Sequence, residues 1–64
     1  MDIIIKTYQL KPRDKIYING KYHEINYIEQ TDKLYHIHFV NLPVLPIGSD
    51  VNLQVRRPHD QYEV

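Results

Sequence analysis

Lys15-Ile16-Tyr17-Ile18-Asn19-Gly20-Lys21-Tyr22-His23-Glu24-Ile25 is the stretch that decides the fold. Its centre, Asn19-Gly20, sits between two runs rich in Ile and Tyr. A two-residue type I′ turn needs positive φ at both central positions, and Asn-Gly meets that need at the lowest steric cost. The spacing predicts a hairpin with Ile18 opposite Lys21, Tyr17 opposite Tyr22 and Ile16 opposite His23. Directly opposed residues share a face. Ile16, Ile18, His23, Ile25 and Tyr27 then lie on one side, with Tyr17, Tyr22, Glu24 and Asn26 on the other.

Upstream, residues 2–10 (DIIIKTYQL) read as a first strand, although the triple Ile leaves its inward face ambiguous. Lys11-Pro12-Arg13-Asp14 ends it, because Pro12 has no N–H for a ladder and biases Lys11 away from helix. Downstream, Gln30-Thr31-Asp32 reads as a three-residue loop and residues 33–41 as the next strand. This loop places Ile25 opposite Ile37, Tyr27 opposite Tyr35 and His23 opposite Phe39. A slip of one residue would expose Ile37 and Phe39 and bury His36 and His38, so burial favours the unslipped register. Residues 42–50, with Pro43 and Pro46, read as a connector. Residues 51–56 alternate cleanly as the last strand. The expected core is Ile16, Ile18, Ile25, Tyr27, Tyr35, Ile37, Phe39, Val51, Leu53 and Val55.

Composition agrees with an all-β chain. Among 64 residues there are nine Ile, five Val, two Thr, six Tyr and no Ala, a mixture that suits strands better than helices. A chain of this length buries only about 60% of the surface its unfolded form exposes, which leaves room for one small domain and none for a cofactor domain. Residues 1–58 are expected to form a single small β-barrel domain, and 59–64 a polar C-terminal tail or short extra strand. There is no Cys, hence no disulfide framework and no Cys-based zinc site. No apolar run approaches the ~20 residues of a membrane span. Met1-Asp2-Ile3-Ile4-Ile5-Lys6 lacks a basic leader and is not expected to be a signal peptide. A cytoplasmic location is expected.

Five short strands with a proline-kinked connector before the last one resemble an SH3-like small barrel. Leu10-Lys11-Pro12-Arg13-Asp14-Lys15-Ile16 is also similar to the L-x-P-G-D-x-hydrophobic pattern of several translation- and transcription-associated barrels, with Arg13 where the pattern has glycine. The resemblance is to a fold only. It implies no particular family and carries no functional residue across.

Several side-chain groups invite a functional reading. His36 and His38 stand on one face, ~6.7 Å apart along a strand, with Glu24 predicted opposite His38. The spacing suits a metal, but a cross-strand Glu–His pair explains it as well; no metal and no cofactor are expected. Ser49, the only serine, lies between Gly48 and Asp50 and reads as a turn residue. No catalytic residue is identified and no enzymatic activity is expected, nor any small-molecule substrate.

Two binding surfaces remain. The formal net charge is zero, so no general field attracts phosphate or membrane. A local strip of Tyr17, Tyr22, Lys15, Lys21, His36, His38, Arg56 and Arg57 could still stack bases and meet phosphates of single-stranded RNA or DNA. The second surface is apolar: the Ile3-Ile4-Ile5 edge of the first strand, with Ile3 and Ile5 foremost, and Leu42, Val44, Leu45 and Ile47 of the connector, used singly or together. Exposed apolar patches usually mark interfaces. The expected function is a binding module for a protein partner, itself as a homodimer or a heterologous protein, acting as regulator, inhibitor or assembly factor. Small binders of this size are frequent in phages and mobile elements, an analogy of size alone. Single-stranded nucleic-acid binding is the alternative.

Overall fold

A computed structural model describes residues 2–58. The described chain forms β1 (Asp2–Lys6), a 3-10 turn (Thr7–Gln9), β2 (Lys15–Ile18), β3 (Lys21–Thr31), β4 (Leu34–Phe39), β5 (Leu45–Gly48) and β6 (Asn52–Arg56). All pairings are antiparallel, and the strands lie in the order β1-β6-β2-β3-β4-β5. The fold is all-β. Six strands replace the five expected, because Leu45–Gly48 inside the connector pairs with β4. Among the described residues β1 and β5 end the sheet without pairing to each other, so it is not closed. Residues 59–64, expected as a tail or an extra strand, lie outside the described residues.

The Asn-Gly hairpin has the expected register, with Tyr17 opposite Tyr22 and Ile16 opposite His23. Asn19 and Gly20 take φ of 50° and 85°, the left-handed values that a type I′ turn demands. Arg13 also takes a positive φ, 77°, and so makes the turn that glycine would serve in the resembling pattern.

The next hairpin differs from expectation. Its turn is Asp32-Lys33, with Thr31 opposite Leu34 and Ile28, not Ile25, opposite Ile37. That register alone would put Ile25 on the wrong face. A bulge between Ile25 and Tyr27 corrects it, so that Ile25 faces Phe39 and Tyr27 faces His38. Ile25 and Ile28, three residues apart, both turn inward, and Tyr27 turns out, 47% exposed. A bulge bends its strand and increases local twist. Here it falls where β3 leaves β2 and takes β4 as its partner: residues 21–24 pair with β2, residues 25–31 with β4.

The first strand is shorter than expected. After Lys6 the chain enters the 3-10 turn, held by Thr7, whose N–H and hydroxyl both donate to the Val51 carbonyl, at 3.0 and 3.2 Å. Buried Thr7 therefore has its polar groups met, and the turn carries Leu10 into the core. The core is Leu10, Ile16, Ile25, Ile37, Phe39 and Val55, with Ile3, Ile5, Ile18, Ile28, Tyr35, Leu42, Leu45, Ile47 and Leu53 packed round it. Val51, expected inside, is exposed and lies just before β6.

Among the described residues one charged group is fully buried with the core. Asp14 accepts from Arg57 Nε at 2.9 Å on Oδ1, and on Oδ2 from Arg57 Nη2 at 2.8 Å and the Lys11 N–H at 3.0 Å. Arg57 Nη2 also donates to the Gln9 carbonyl at 3.0 Å. This fork ties the loop before β2 to the chain just after β6. A buried carboxylate is tolerated when its lone pairs are met by a charged, bidentate donor.

Candidate functional site

The outer face of the sheet carries two separate groups of side chains. Across β1, β6, β2 and β3 the ladder aligns Asp2, Arg56, Lys15 and Glu24 in one row, with the two cations in the middle and a carboxylate at each end. Arg56 Nε donates to Asp2 Oδ1 at 2.9 Å, and its guanidinium carbon lies 4.1 Å from the centre of the Tyr22 ring. The Arg56 hydrogen bond holds the Asp2 carboxyl below the usual carboxylate range, against a smaller opposing effect of burial. The same bond raises the Arg56 guanidinium. Tyr17 and Tyr22 make a tilted pair, 5.1 Å between centres, and Gln54 Nε2 donates to the Tyr22 hydroxyl at 2.9 Å.

The second group lies beyond the bulge. Tyr27 stacks on His38 with centres 4.2 Å apart and planes 9° from parallel. His38 Nε2 meets Glu29 Oε1 at 2.7 Å, and His36 Nε2 meets Thr31 Oγ1 at 2.9 Å. The carboxylate beside His38 is thus Glu29, not Glu24. Among the described residues no three His, Asp or Glu side chains are grouped to hold a metal ion.

The expected aromatic-basic strip is therefore divided. Tyr17, Tyr22, Lys15 and Arg56 share one patch, where each cation of the row lies beside a carboxylate. Lys21, opposite Ile18, projects from the other face of the hairpin. Arg57 is taken up by Asp14. His36 and His38 belong to the Tyr27–Glu29 group. The grouping of His36 and His38 with Tyr27 and Glu29 follows from the Asn26 bulge, whose trace in the sequence is the three-residue spacing of Ile25 and Ile28 within a strand.

Of the apolar residues expected at an interface, Ile3, Ile5, Leu42, Leu45 and Ile47 are half-buried against the core, and Val44 is 48% exposed. Two further apolar side chains stand exposed. Ile4, in the middle of β1, is the most exposed large apolar side chain described, at 69%, and Val40, after β4, is 55% exposed. The signal for Ile4 is simple alternation: once Ile3 and Ile5 face the core, Ile4 must face away. No helix of the described residues is long and apolar enough to cross a membrane.

The chain was compared with protein-family models, with curated proteins and with solved structures, and none matches.

Proposed function

We propose that the protein is a small non-enzymatic binding module that acts on a protein partner, as a regulator, inhibitor or assembly factor. Its architecture reads as a partly open SH3-like barrel. A long β3, bent at a bulge and shared between two ladders, supports that reading. The observation that carries the function is the edge of β1, where an isoleucine stands in water on a strand that has, among the described residues, no neighbour on one side. A free edge offers unpaired N–H and C=O groups to an added strand, and an apolar side chain beside them adds contact area.

Single-stranded nucleic acid is the second reading, favoured by the exposed Tyr17 beside Tyr22, a pair on which a base could stack. The charges weigh against it. Arg56 and Arg57 are both spent on carboxylates, and the row that includes Lys15 is balanced.

The test is capture of partners by the tagged protein from a lysate of its source cells, with and without nuclease. A discrete protein that survives nuclease, and is lost with Ile4→Lys, supports the protein-binding reading. Partners lost on nuclease treatment, and lost equally with Tyr17→Ala/Tyr22→Ala, would replace it with the nucleic-acid reading.

A further inference from the structure

Among the described residues one side of β1 has no neighbouring strand, and that side has a definite chemistry. Thr7 N–H donates to the Val51 carbonyl, and that pair continues the register of Ile5 with Leu53 and Ile3 with Val55. In an antiparallel ladder, alternate residues turn both N–H and C=O to the same neighbour. Ile3, Ile5 and Thr7 therefore bond to β6, while Asp2, Ile4 and Lys6 turn their backbone groups to the open side. Lys6 bears this out, since its N–H leaves the ladder and meets Gln9 Oε1 at 2.9 Å.

The two edges of the sheet are not protected alike. β5 has four residues and contains Pro46. A proline in an edge strand is accommodated where the missing N–H would face outward, so it removes a donor from that edge. β1 has neither proline nor bulge, and all five of its residues are in continuous register with β6. Such an edge is a template for another strand.

Its sequence complements itself. When two copies of Asp2-Ile3-Ile4-Ile5-Lys6 run antiparallel about Ile4, Ile4 meets Ile4, Ile3 meets Ile5, and Asp2 meets Lys6 at both ends. Opposite charges face each other across the pair, and like charges nowhere do. The residues that would exchange hydrogen bonds are Asp2, Ile4 and Lys6, the ones whose backbone groups point outward, and the Lys6 N–H would give up Gln9 Oε1 for the Asp2 carbonyl of the second copy. In the single chain Lys6 rests on Asp50 at 3.2 Å, with the carboxylate 80% exposed, a contact easily exchanged. Asp2 keeps Arg56 and gains a second cation.

We infer that β1 is a self-recognition edge: two copies of the chain pair antiparallel through Asp2–Lys6, with Ile4 on the two-fold axis, and the sheet of one continues into the other. This rests on the protein-binding reading above and names the partner as a second copy. The shared surface is a single strand pair, small beside a standard interface of ~1,600 Å², so the dimer forms at micromolar or higher concentration.

Sedimentation equilibrium from micromolar to millimolar concentration tests it, with folding of each variant checked by circular dichroism. The wild-type chain should rise from one chain mass towards two, and Ile4→Lys should hold it at one. Asp2→Lys gives a strand with two basic ends, and Lys6→Asp one with two acidic ends. Each alone should remain a monomer, and an equimolar mixture should recover the dimer mass. That recovery also shows that both variants are folded. A dimer that persists in Ile4→Lys, or variants that do not complement each other, would overturn the β1 pairing. A wild-type chain that stays single throughout, yet captures a nuclease-resistant protein through Ile4, would refute self-pairing and leave the protein-binding reading intact. Staying single and capturing only nuclease-sensitive material would remove both.

Discussion

The Asp14–Arg57 fork is the contact whose loss should be felt most, and a double-mutant cycle measures it. Asp14→Asn removes the charge and puts an amide NH2 against a guanidinium that can only donate. The one carbonyl oxygen left can keep both Lys11 N–H and Arg57 Nη2, as Oδ2 does, but the NH2 then faces Arg57 Nε. Asp14 is fully buried and the Arg57 side chain is 13% exposed, so water cannot replace what is lost. Breaking a buried pair by removing one partner costs about 3–5 kcal/mol, and the retained oxygen places Asp14→Asn near the lower end, about 3 kcal/mol. A domain of this length has a total stability of about 3–10 kcal/mol.

Urea unfolding followed by circular dichroism reads the change. With a slope of about 1 kcal/mol per molar, the midpoint should fall by about 3 M. Should that variant unfold without urea, Arg57→Lys supplies a milder step: it keeps a cation but loses the planar fork, and its midpoint should fall by a smaller amount. Asp14→Asn with Arg57→Leu should cost less than the two singles together, leaving a coupling of at least about 2 kcal/mol. A midpoint shift below about 1 M for Asp14→Asn, or additive singles, would refute the reasoning. The pair would then be worth no more than an exposed ion pair.

Three further outcomes follow from the same geometry. Ile28→Ala should cost about 1–2 kcal/mol in the same assay and Tyr27→Ala less than about 1 kcal/mol, because the bulge turns Ile28 inward and Tyr27 outward; the opposite order would mean the bulge is not there. Gly20→Ala should cost about 1 kcal/mol from backbone strain alone, since φ is +85° and a Cβ there meets nothing within 4 Å; an unchanged midpoint would show that the turn can relax. Acid should weaken the fold in part through Asp2. Its carboxyl is held below the usual range by Arg56, so its contribution is present above the unfolded value and is lost as pH falls through the folded one. Asp2→Asn should remove that share of the acid loss, and an identical pH profile of unfolding midpoints in the variant would contradict it.

What the sequence discloses of this fold depends on how local each determinant is. The β2–β3 hairpin is legible because Asn19-Gly20 fixes both turn type and register within two residues. The β3–β4 hairpin is not, because two solutions bury Ile37 and Phe39 equally well: a three-residue loop with a straight strand, or a two-residue turn with a bulge. Both keep His36 and His38 outside. The choice decides which of Tyr27 and Ile28 enters the core and which of Glu24 and Glu29 lies beside His38, and the chain takes Ile28 and Glu29. The Asp14–Arg57 fork joins residues 43 apart in sequence, and nothing periodic announces such a pair. β5 is hidden for another reason. Pro46 argues against a strand in the interior of a sheet, yet Leu45–Gly48 lies at the edge, the one place where proline is accommodated.

The same distinction between edge and interior accounts for the triple isoleucine, whose inward face the sequence leaves ambiguous. Ile3 and Ile5 satisfy the core from β1, which gives the strand its need for alternation. Nothing in core packing requires a branched aliphatic at position 4, which faces away from the core and is 69% exposed. A polar residue there would fold as well and would guard the edge against unwanted pairing, as edge strands generally do. Isoleucine favours strand geometry, but Thr would share that preference and be better solvated. On the reading proposed above, Ile4, with Asp2 and Lys6 spaced for antiparallel complementarity, serves recognition rather than folding. That is why the charge-swapped pair of β1 variants bears on function rather than on stability alone.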